Sequence, residues 1–145
     1  EALDLKDVAR AAVDVFHASP GISIVLHESP SLPVLADREH LLRVFNNLLK
    51  NAVQAIPEGR EGRIDVRLRE QDGHALATVT DNGSGIPERI HDRIFTPSFT
   101  TKNSGMGLGL AMVKRIVEQA GGSVRFESRE EEGTTFFVVL PLKSV

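Results

Sequence analysis

The sequence predicts an α/β protein in which one mixed, mostly antiparallel sheet carries about three helices on one face. Two observations predict this two-layer sandwich: segments with helical spacing alternate with pairs of short strands, and polar turns separate the strands within several of these pairs. A third observation limits the number of domains, because 145 residues, of which 41% are hydrophobic, supply one sizeable core. We therefore expect residues 1–145 to form a single domain.

The first half of the chain contains two predicted helices and two predicted strands. Residues 3–17 carry apolar side chains at helical spacing, and Ser-Pro-Gly at 19–21 ends this pattern. Short strands are expected at 22–27 and 32–36. Asp37 is the expected N-cap of a long helix that runs through Ile56 and is closed by Pro57, Glu58 and Gly59.

The second half contains two predicted hairpins separated by a long connection. Residues 63–70 and 74–81 flank a Gln-Asp-Gly turn, which is a strong hairpin signal. Residues 82–107 are rich in Gly, Pro, Ser and Thr, with one short helical piece near 87–95, and connections of this length are usually lids or binding loops. A helix from about 108 to 120, ended by Gly121 and Gly122, then leads into two strands around a Glu-Glu-Glu-Gly turn.

Composition excludes several classes of function. The net charge of −3 gives no basic footprint for nucleic acid. The absence of cysteine excludes disulfides and thiolate metal sites and suits a reducing compartment. No apolar run approaches the ~18 residues that a membrane span needs, so we expect no membrane contact by this domain.

The long helix over 38–56 has polar residues that are unusual for a solvated surface. Its second face gathers His40, Arg43, Asn47, Lys50, Asn51 and Gln54. Asparagine is a weaker helix former than Glu or Lys, yet Asn47 and Asn51 lie four residues apart and point the same way. A neutral amide oxygen suits Mg²⁺ that is bound to phosphates, because the substrate supplies most of the charge. The alternative is a plain solvated face.

The segment DNGSGIP at 81–87 follows a predicted strand directly. Asp81 and its glycines have a simple explanation as a turn. The functional interpretation has the Asp81 carboxylate accept a hydrogen bond from an exocyclic amine, while Gly83 and Gly85 let a flat ring lie on the backbone. Both interpretations fit the residues.

Two further segments complete the candidate site. FTPSFTTK at 95–102 places Phe95 and Phe99 around a proline, either as anchors of a loop or as part of a lid whose Lys102 reaches a terminal phosphate. SGMGLGLAM at 104–112 places glycine at 105, 107 and 109 and then continues into a helix. It matches neither the P-loop nor G-x-G-x-x-G, so it predicts a hinge, a helix start, or free N–H groups for an anion.

Together these segments resemble the ATP-binding catalytic domain of sensor histidine kinases, within the superfamily of gyrase, chaperone, kinase and mismatch-repair ATPases. NLLKNA resembles the N box, DNGSGIP the G1 box, FTPSFTTK the F box, GMGLGLAMVKRIVEQAGG the G2 box, and EEGTTFFVVLPL the final glycine and strand. The similarity spans residues 3–142 and is strongest to the nitrogen-regulation branch. It implies a Bergerat-type sandwich.

The resemblance also implies roles for individual residues. Asn51 would ligate Mg²⁺, Asp81 would bind the adenine amino group with help from Thr134, and Lys102 would reach the γ-phosphate. Asn47, Asn51 and Lys102 would be the catalytic residues. Gly105 and Gly107 would let the lid move, and Gly109 would open the helix close to phosphate. The full set of implied contacts to ATP is Asn47, Lys50, Asn51, Gln54, Asp81, Gly83, Gly85, Ile86, Phe95, Thr101, Lys102, Gly105, Met106, Gly107, Leu108, Gly109, Leu110 and Thr134.

The expected reaction is phosphoryl transfer rather than rapid hydrolysis. In the clamp ATPases of this superfamily a Glu one turn before the Mg²⁺-binding Asn is the general base, whereas here that position is Asn47, and an amide takes no proton near neutral pH. Glu39 lies eight residues before Asn51, too far to replace it. An ATPase of this type, a nucleotide-binding module without transfer and a serine kinase of the anti-sigma type remain the alternatives.

The partners follow from the same resemblance. The acceptor would be a histidine on a separate helical hairpin of the same protein, absent from this segment, with a response regulator downstream. We expect His17, His27, His40, His74 and His91 to be structural or peripheral. The implied location is the cytoplasm, whether or not the parent protein is anchored in the inner membrane.

Overall fold

The structure, a computed structural model, describes residues 2–16, 20–96 and 106–143, with the backbone alone for 106–108. The helices are α1 (Leu5–Val15), α2 (Arg38–Ala55) and α3 (Met106–Gln119), and a short 3₁₀ helix spans Glu88–Arg93. The strands are β1 (Ala2–Asp4), β2 (Ile22–Leu26), β3 (Pro33–Leu35), β4 (Gly62–Gln71), β5 (His74–Asp81), β6 (Ser123–Arg129) and β7 (Gly133–Pro141).

The main sheet has five strands in the order β2-β4-β5-β7-β6. Only β2 and β4 run parallel, and the other neighbours are antiparallel. Alternate residues of these strands, among them Ile64, Val66, Val79 and Val138, are buried with the helices in one hydrophobic core. The predicted mixed, mostly antiparallel sheet with three helices on one face is therefore confirmed.

The N-terminal segment differs from the prediction by one small strand. The expected helix over 3–17 begins only at Leu5, because Leu3 and Asp4 pair with Val34 and Pro33 in a separate two-stranded sheet. Asp4 ends this strand and caps the helix. Its carboxylate accepts hydrogen bonds from the amides of Lys6 and Leu32, both at 3.0 Å. The helical periodicity of α1 concealed the strand, since three residues are too few to show alternation.

The cap of α2 is confirmed, but its burial pattern is not. The Asp37 carboxylate accepts from the His40 amide at 3.1 Å, as an N-cap does. His40, Arg43, Lys50 and Gln54 are exposed, whereas Asn51 retains only 6% of its accessible surface. A helical wheel groups Asn51 with the exposed set, because it cannot show that the end of β5 packs on that side of the helix.

Helix α3 begins earlier than the sequence indicated. It starts at Met106 rather than near 108, so Gly107 and Gly109 lie within its first turn and not in a loop before it. Gly107 was expected before this helix and lies inside it, and its role in lid movement stays a prediction. In the ranges described, no helix is both long and apolar enough to cross a bilayer.

Candidate functional site

Two of the predicted site segments, the asparagine helix and the DNGSGIP turn, meet where β5 ends beneath the C-terminal half of α2. Ala55, the last residue of α2, accepts a hydrogen bond at 2.9 Å from the amide of Ser84, in the turn after β5. Asn51 lies four residues before Ala55 and therefore projects from the same side of the helix. The structure thus brings the asparagine helix and the DNGSGIP turn into direct contact.

Asp81 is the last residue of β5 and is nearly enclosed by protein. Its side chain keeps 6% of its accessible surface, and Oδ1 accepts a hydrogen bond of 2.8 Å from the Gly83 amide. Burial raises the pKa of Asp81 from 3.8 to about 6, against the lowering effect of hydrogen bonds from the backbone of Gly83 and Thr134. A buried acceptor with a perturbed pKa at the end of a strand is typical of a binding site.

The two glycines of the turn are required by close packing. A Cβ on Gly83 would lie 2.5 Å from the carbonyl oxygen of Ala55. Gly85 has a φ of +78°, and its Cβ would collide with the carbonyl oxygen of Arg129. The turn is therefore fixed in place by its neighbours on both sides, which is a reason for these glycines that is independent of any ligand.

Hydrogen bonds hold the same turn from three directions. The Ile86 amide donates to Ser128 Oγ at 2.7 Å, and the Glu131 amide donates to the Ser84 carbonyl at 2.7 Å. Asn82 fastens the turn to β4, since its Oδ1 accepts from the Arg63 amide at 2.8 Å. Its Nδ2 also donates to the Glu61 carbonyl at 3.0 Å. Preorganisation of this kind fixes Asp81 relative to the backbone around it.

Thr134 lies directly opposite Asp81. The two residues are register partners in the β5–β7 ladder, on the face that carries the helices, and Thr134 keeps 4% of its surface. Their side chains therefore start from Cβ atoms about 5 Å apart. The structure places Thr134 beside Asp81, as the resemblance implied.

The amide of Asn51 fits a magnesium–triphosphate group. Among the described residues its Nδ2 is buried without a hydrogen-bond partner, an expensive arrangement in the absence of a ligand. A primary amide can supply its oxygen to a hard cation and its N–H to a phosphate oxygen. In the same ranges no group of three or more His, Cys, Asp or Glu side chains is arranged to hold a metal ion.

Asn47 lies one turn earlier and meets the start of α3. Its Nδ2 donates to the Arg43 carbonyl at 2.8 Å, which directs Oδ1 away from its own helix. A Cβ on Gly109 would collide with this oxygen. Lys50 and Gln54 are exposed on the same helix, so their ends are free to turn toward a ligand.

Three apolar residues of the predicted set have roles in the core. Leu110 has no exposed surface, and Ile86 packs against the core while half-buried. The Phe95 ring meets Phe126 and Phe136 edge-on, with centroid distances of 5.9 Å and 6.3 Å. Phe95 therefore packs the residues directly after the 3₁₀ helix against the sheet. Phe99 and Lys102, on which the lid interpretation of the F box depends, lie outside the described residues.

Part of the predicted site lies outside the described residues. This holds for Thr101, Lys102 and Gly105, and also for the side chains of Met106 and Leu108. Gly107 is described as backbone within α3.

Three of the five histidines have local partners for their rings. His27 Nε2 lies 2.8 Å from Asp65, His74 Nδ1 lies 2.9 Å from the Asp72 carbonyl, and His91 Nε2 lies 2.8 Å from the Ile86 carbonyl. His40 is exposed in the first turn of α2. His17 lies outside the described residues.

Sequence reasoning missed Ser128. This residue occupies a helix-facing position of β6, in the same series as Val124 and Phe126. Two apolar side chains at alternate positions predict a third, and Ser128 interrupts that alternation. A polar residue at an inward position is the signal that could have identified it.

Comparison with known proteins decides the family. Residues 36–144 match the family described as histidine kinase-, DNA gyrase B- and HSP90-like ATPase. The chain belongs to this ATPase family. The predicted resemblance is therefore confirmed.

Individual members of the ATPase family show how far the similarity extends. Sensor histidine kinase ZraS of Escherichia coli K12 is 47% identical over 109 residues, which make up 75% of this chain and 23% of that protein. The chain thus spans about a quarter of the length of that curated relative.

Solved structures of histidine kinases contain the same fold as this chain. The mycobacterial sensor histidine kinase MprB has a TM-score of 0.85 at 31% identity, with 100% of both chains covered. Full-length ShkA in complex with AMPPNP has a TM-score of 0.84 at 26% identity, with 100% of this chain and 31% of that chain covered. The fold is that of the catalytic domains of histidine kinases.

Proposed function

We propose that this domain binds Mg-ATP and transfers its γ-phosphoryl group to a histidine on a separate helical hairpin of the same protein. The observation that carries the proposal is the proximity of a buried acceptor, Asp81, to Asn51, whose buried Nδ2 has no described hydrogen-bond partner. The turn after β5 and the end of α2, which carry these residues, are in direct contact. Asp81 accepts from the adenine amino group, and Asn51 lies toward the phosphates.

The phosphate end of the site combines side chains from α2 with the start of α3. Asn51 is the proposed Mg²⁺ ligand, and bound Mg²⁺ would neutralise charge on the triphosphate. Lys50 and Gln54 extend from the same helix toward the phosphates, and Lys102 would approach the γ-phosphate. Helix α3 begins at Met106, so its first amides lack intrahelical partners and can donate to phosphate oxygens.

Position 47 favours transfer over hydrolysis. Asn47 holds its amide against its own helix and has no carboxylate with which to activate water. Glu39 is eight residues before Asn51, about 12 Å along the helix axis. Positioning and charge neutralisation therefore carry the catalysis, as they do for phosphoryl transfer to an external nucleophile.

The names of the relatives support the proposed partner proteins. ZraS and MprB are sensor histidine kinases by name, and we infer a parent protein of that class with a cytoplasmic catalytic domain and a response regulator downstream. The described histidines have local partners or lie at the surface of α2, which favours an acceptor on another domain.

A phosphotransfer assay tests the proposal. The domain is incubated with γ-labelled ATP and a separately produced hairpin, and Asn51→Ala serves as the inactive control. Acid-labile label on the hairpin is the expected result. Free phosphate without the hairpin would favour a hydrolase, acid-stable label a serine kinase, and tight binding without either a nucleotide-binding module; each of these would overturn the proposal.

A further inference from the structure

The hydroxyl group of Ser128 has three hydrogen-bond partners, which lie in two segments of the proposed base-recognition site. Its Oγ accepts a hydrogen bond of 2.7 Å from the Ile86 amide, at the end of the DNGSGIP turn. It lies 3.2 Å from the Gly133 carbonyl, to which it donates, and 2.8 Å from Thr134 Oγ1. These partners come from the turn after β5 and from the first two residues of β7.

The single proton on each hydroxyl limits how the hydrogen bond between Ser128 and Thr134 can be directed. A serine hydroxyl has one proton and two acceptor lone pairs. If the proton goes to the Gly133 carbonyl, Ser128 accepts from both Ile86 and Thr134. In that case the Thr134 hydroxyl donates its proton to Ser128, and its oxygen retains lone pairs that can accept a hydrogen bond.

The link reaches Asp81 because Thr134 is its register partner. Thr134 is paired with Asp81 across the β5–β7 ladder, while its side chain is held by Ser128. Thr134 is thus fixed at both its backbone and its hydroxyl. All the groups involved are buried or half-buried, so a missing partner is costly.

We propose that Ser128 is a positioning residue for base recognition, which fixes the Thr134 hydroxyl and the Ile86 end of the turn around Asp81. This inference rests on the proposed function, because it assumes that Asp81 binds the adenine amino group. Ser128 acts through Thr134 and does not itself contact the base.

The same two strands contain a matched control on the opposite face. Thr80 and Thr135 are the residues before Asp81 and after Thr134, and their hydroxyl groups share a hydrogen bond of 3.0 Å. Since successive strand residues alternate between faces, this pair points away from the helices and from the proposed site. Thr135→Val removes one hydroxyl from the same ladder without touching the Ser128 contacts.

The test compares the affinities of ATP and purine riboside triphosphate, which lacks the 6-amino group. We expect the protein to prefer ATP at least tenfold, and we expect Ser128→Ala to reduce that preference by about fivefold through loss of a buried hydrogen bond. Ser128→Thr, which retains the hydroxyl, restores the preference, and Thr135→Val leaves it unchanged. Thermal denaturation confirms that each variant is folded.

A second variant tests the route through Thr134. Thr134→Val should reduce the preference for ATP to a similar extent, and adding Ser128→Ala to it should have little further effect. Equal loss of affinity for both nucleotides in Ser128→Ala, or independent effects in the double variant, would overturn the positioning role. A native protein that binds both nucleotides equally would instead overturn the assignment of Asp81, and with it this inference.

Discussion

The side-chain oxygen of Asn47 lies directly against the α-carbon of Gly109, where α2 meets the first turn of α3. The Asn47 amide is held there by the hydrogen bond from its Nδ2 to the Arg43 carbonyl. Gly109 lies inside a helix, so its lack of a side chain allows Asn47 to approach closely and does not serve as a flexible hinge. This contact links the helix of the proposed Mg²⁺ ligand to the helix whose N-terminus is proposed to bind the phosphates.

The effect of Gly109→Ala on stability and on ATP affinity should depend on the residue at position 47. In the native protein the new methyl group displaces the Asn47 amide, and we expect ATP affinity to fall severalfold. In an Asn47→Ala background the collision is absent, and alanine gains about 1 kcal/mol of helix stability over glycine. Urea unfolding and calorimetric ATP titration of the four proteins measure this coupling. Additive effects on unfolding would contradict the contact.

Asp81→Asn should stabilise the protein while abolishing base recognition. Because burial raises the pKa of Asp81 from 3.8 to about 6, the folded state holds its proton more tightly than the unfolded chain does. The stability that this proton contributes is complete below pH 3.8 and is lost as the pH rises through about 6. At pH 8 the variant should therefore gain up to about 3 kcal/mol in unfolding free energy.

The loss of binding in this variant has a separate cause. The Gly83 amide keeps the side-chain oxygen as its acceptor, so asparagine would present N–H to the adenine amino group. We expect ATP affinity to fall at least tenfold. Denaturation at pH 3.5 and pH 8 and calorimetry at pH 8 measure the two effects. An unchanged affinity would remove Asp81 from the site.

Asn51→Ala should abolish the dependence of nucleotide binding on Mg²⁺. The buried amide, which has no described partner for its Nδ2, is the proposed metal ligand on α2. Titrations of ATP with Mg²⁺ and with EDTA give the metal dependence, and Glu39→Gln is the control, because Glu39 is exposed on the same helix and lies outside the proposed site. If Mg²⁺ strengthens binding equally in native and Asn51→Ala proteins, the metal is held elsewhere.

Gly85→Ala and Gly73→Ala form a matched pair. Both glycines have a φ of +78°, but only Gly85 has a neighbour, the Arg129 carbonyl, in the space that a methyl group would fill. Gly73→Ala should cost about 1 kcal/mol of backbone strain and leave ATP binding intact. Gly85→Ala should cost about 1–3 kcal/mol more and weaken ATP binding. Equal destabilisation in urea would show that the close approach is unimportant.

The regular elements could be predicted because their signals are local. Asp37 precedes an apolar pattern of helical period, and its capping role is visible in three residues. The β4–β5 hairpin is likewise specified by alternation and the Asp72–Gly73 turn, in which both residues have positive φ. The predicted start of α3 was wrong by two residues. The glycines at 107 and 109 lower helix propensity, and the packing of Gly109 against Asn47 of α2 overrides it.

By itself, the sequence determined the α/β class, the family and the order of the elements apart from β1, from periodicity and from its motifs. It also predicted the chemistry of the site around Asn51 and Asp81. Only the tertiary structure decided which side chains meet. It buried Asn51, set Gly109 against Asn47, and joined Ser128 to Ile86 across 42 positions. Periodicity is a property of neighbours along the chain, whereas these contacts depend on strand register and helix packing between distant segments.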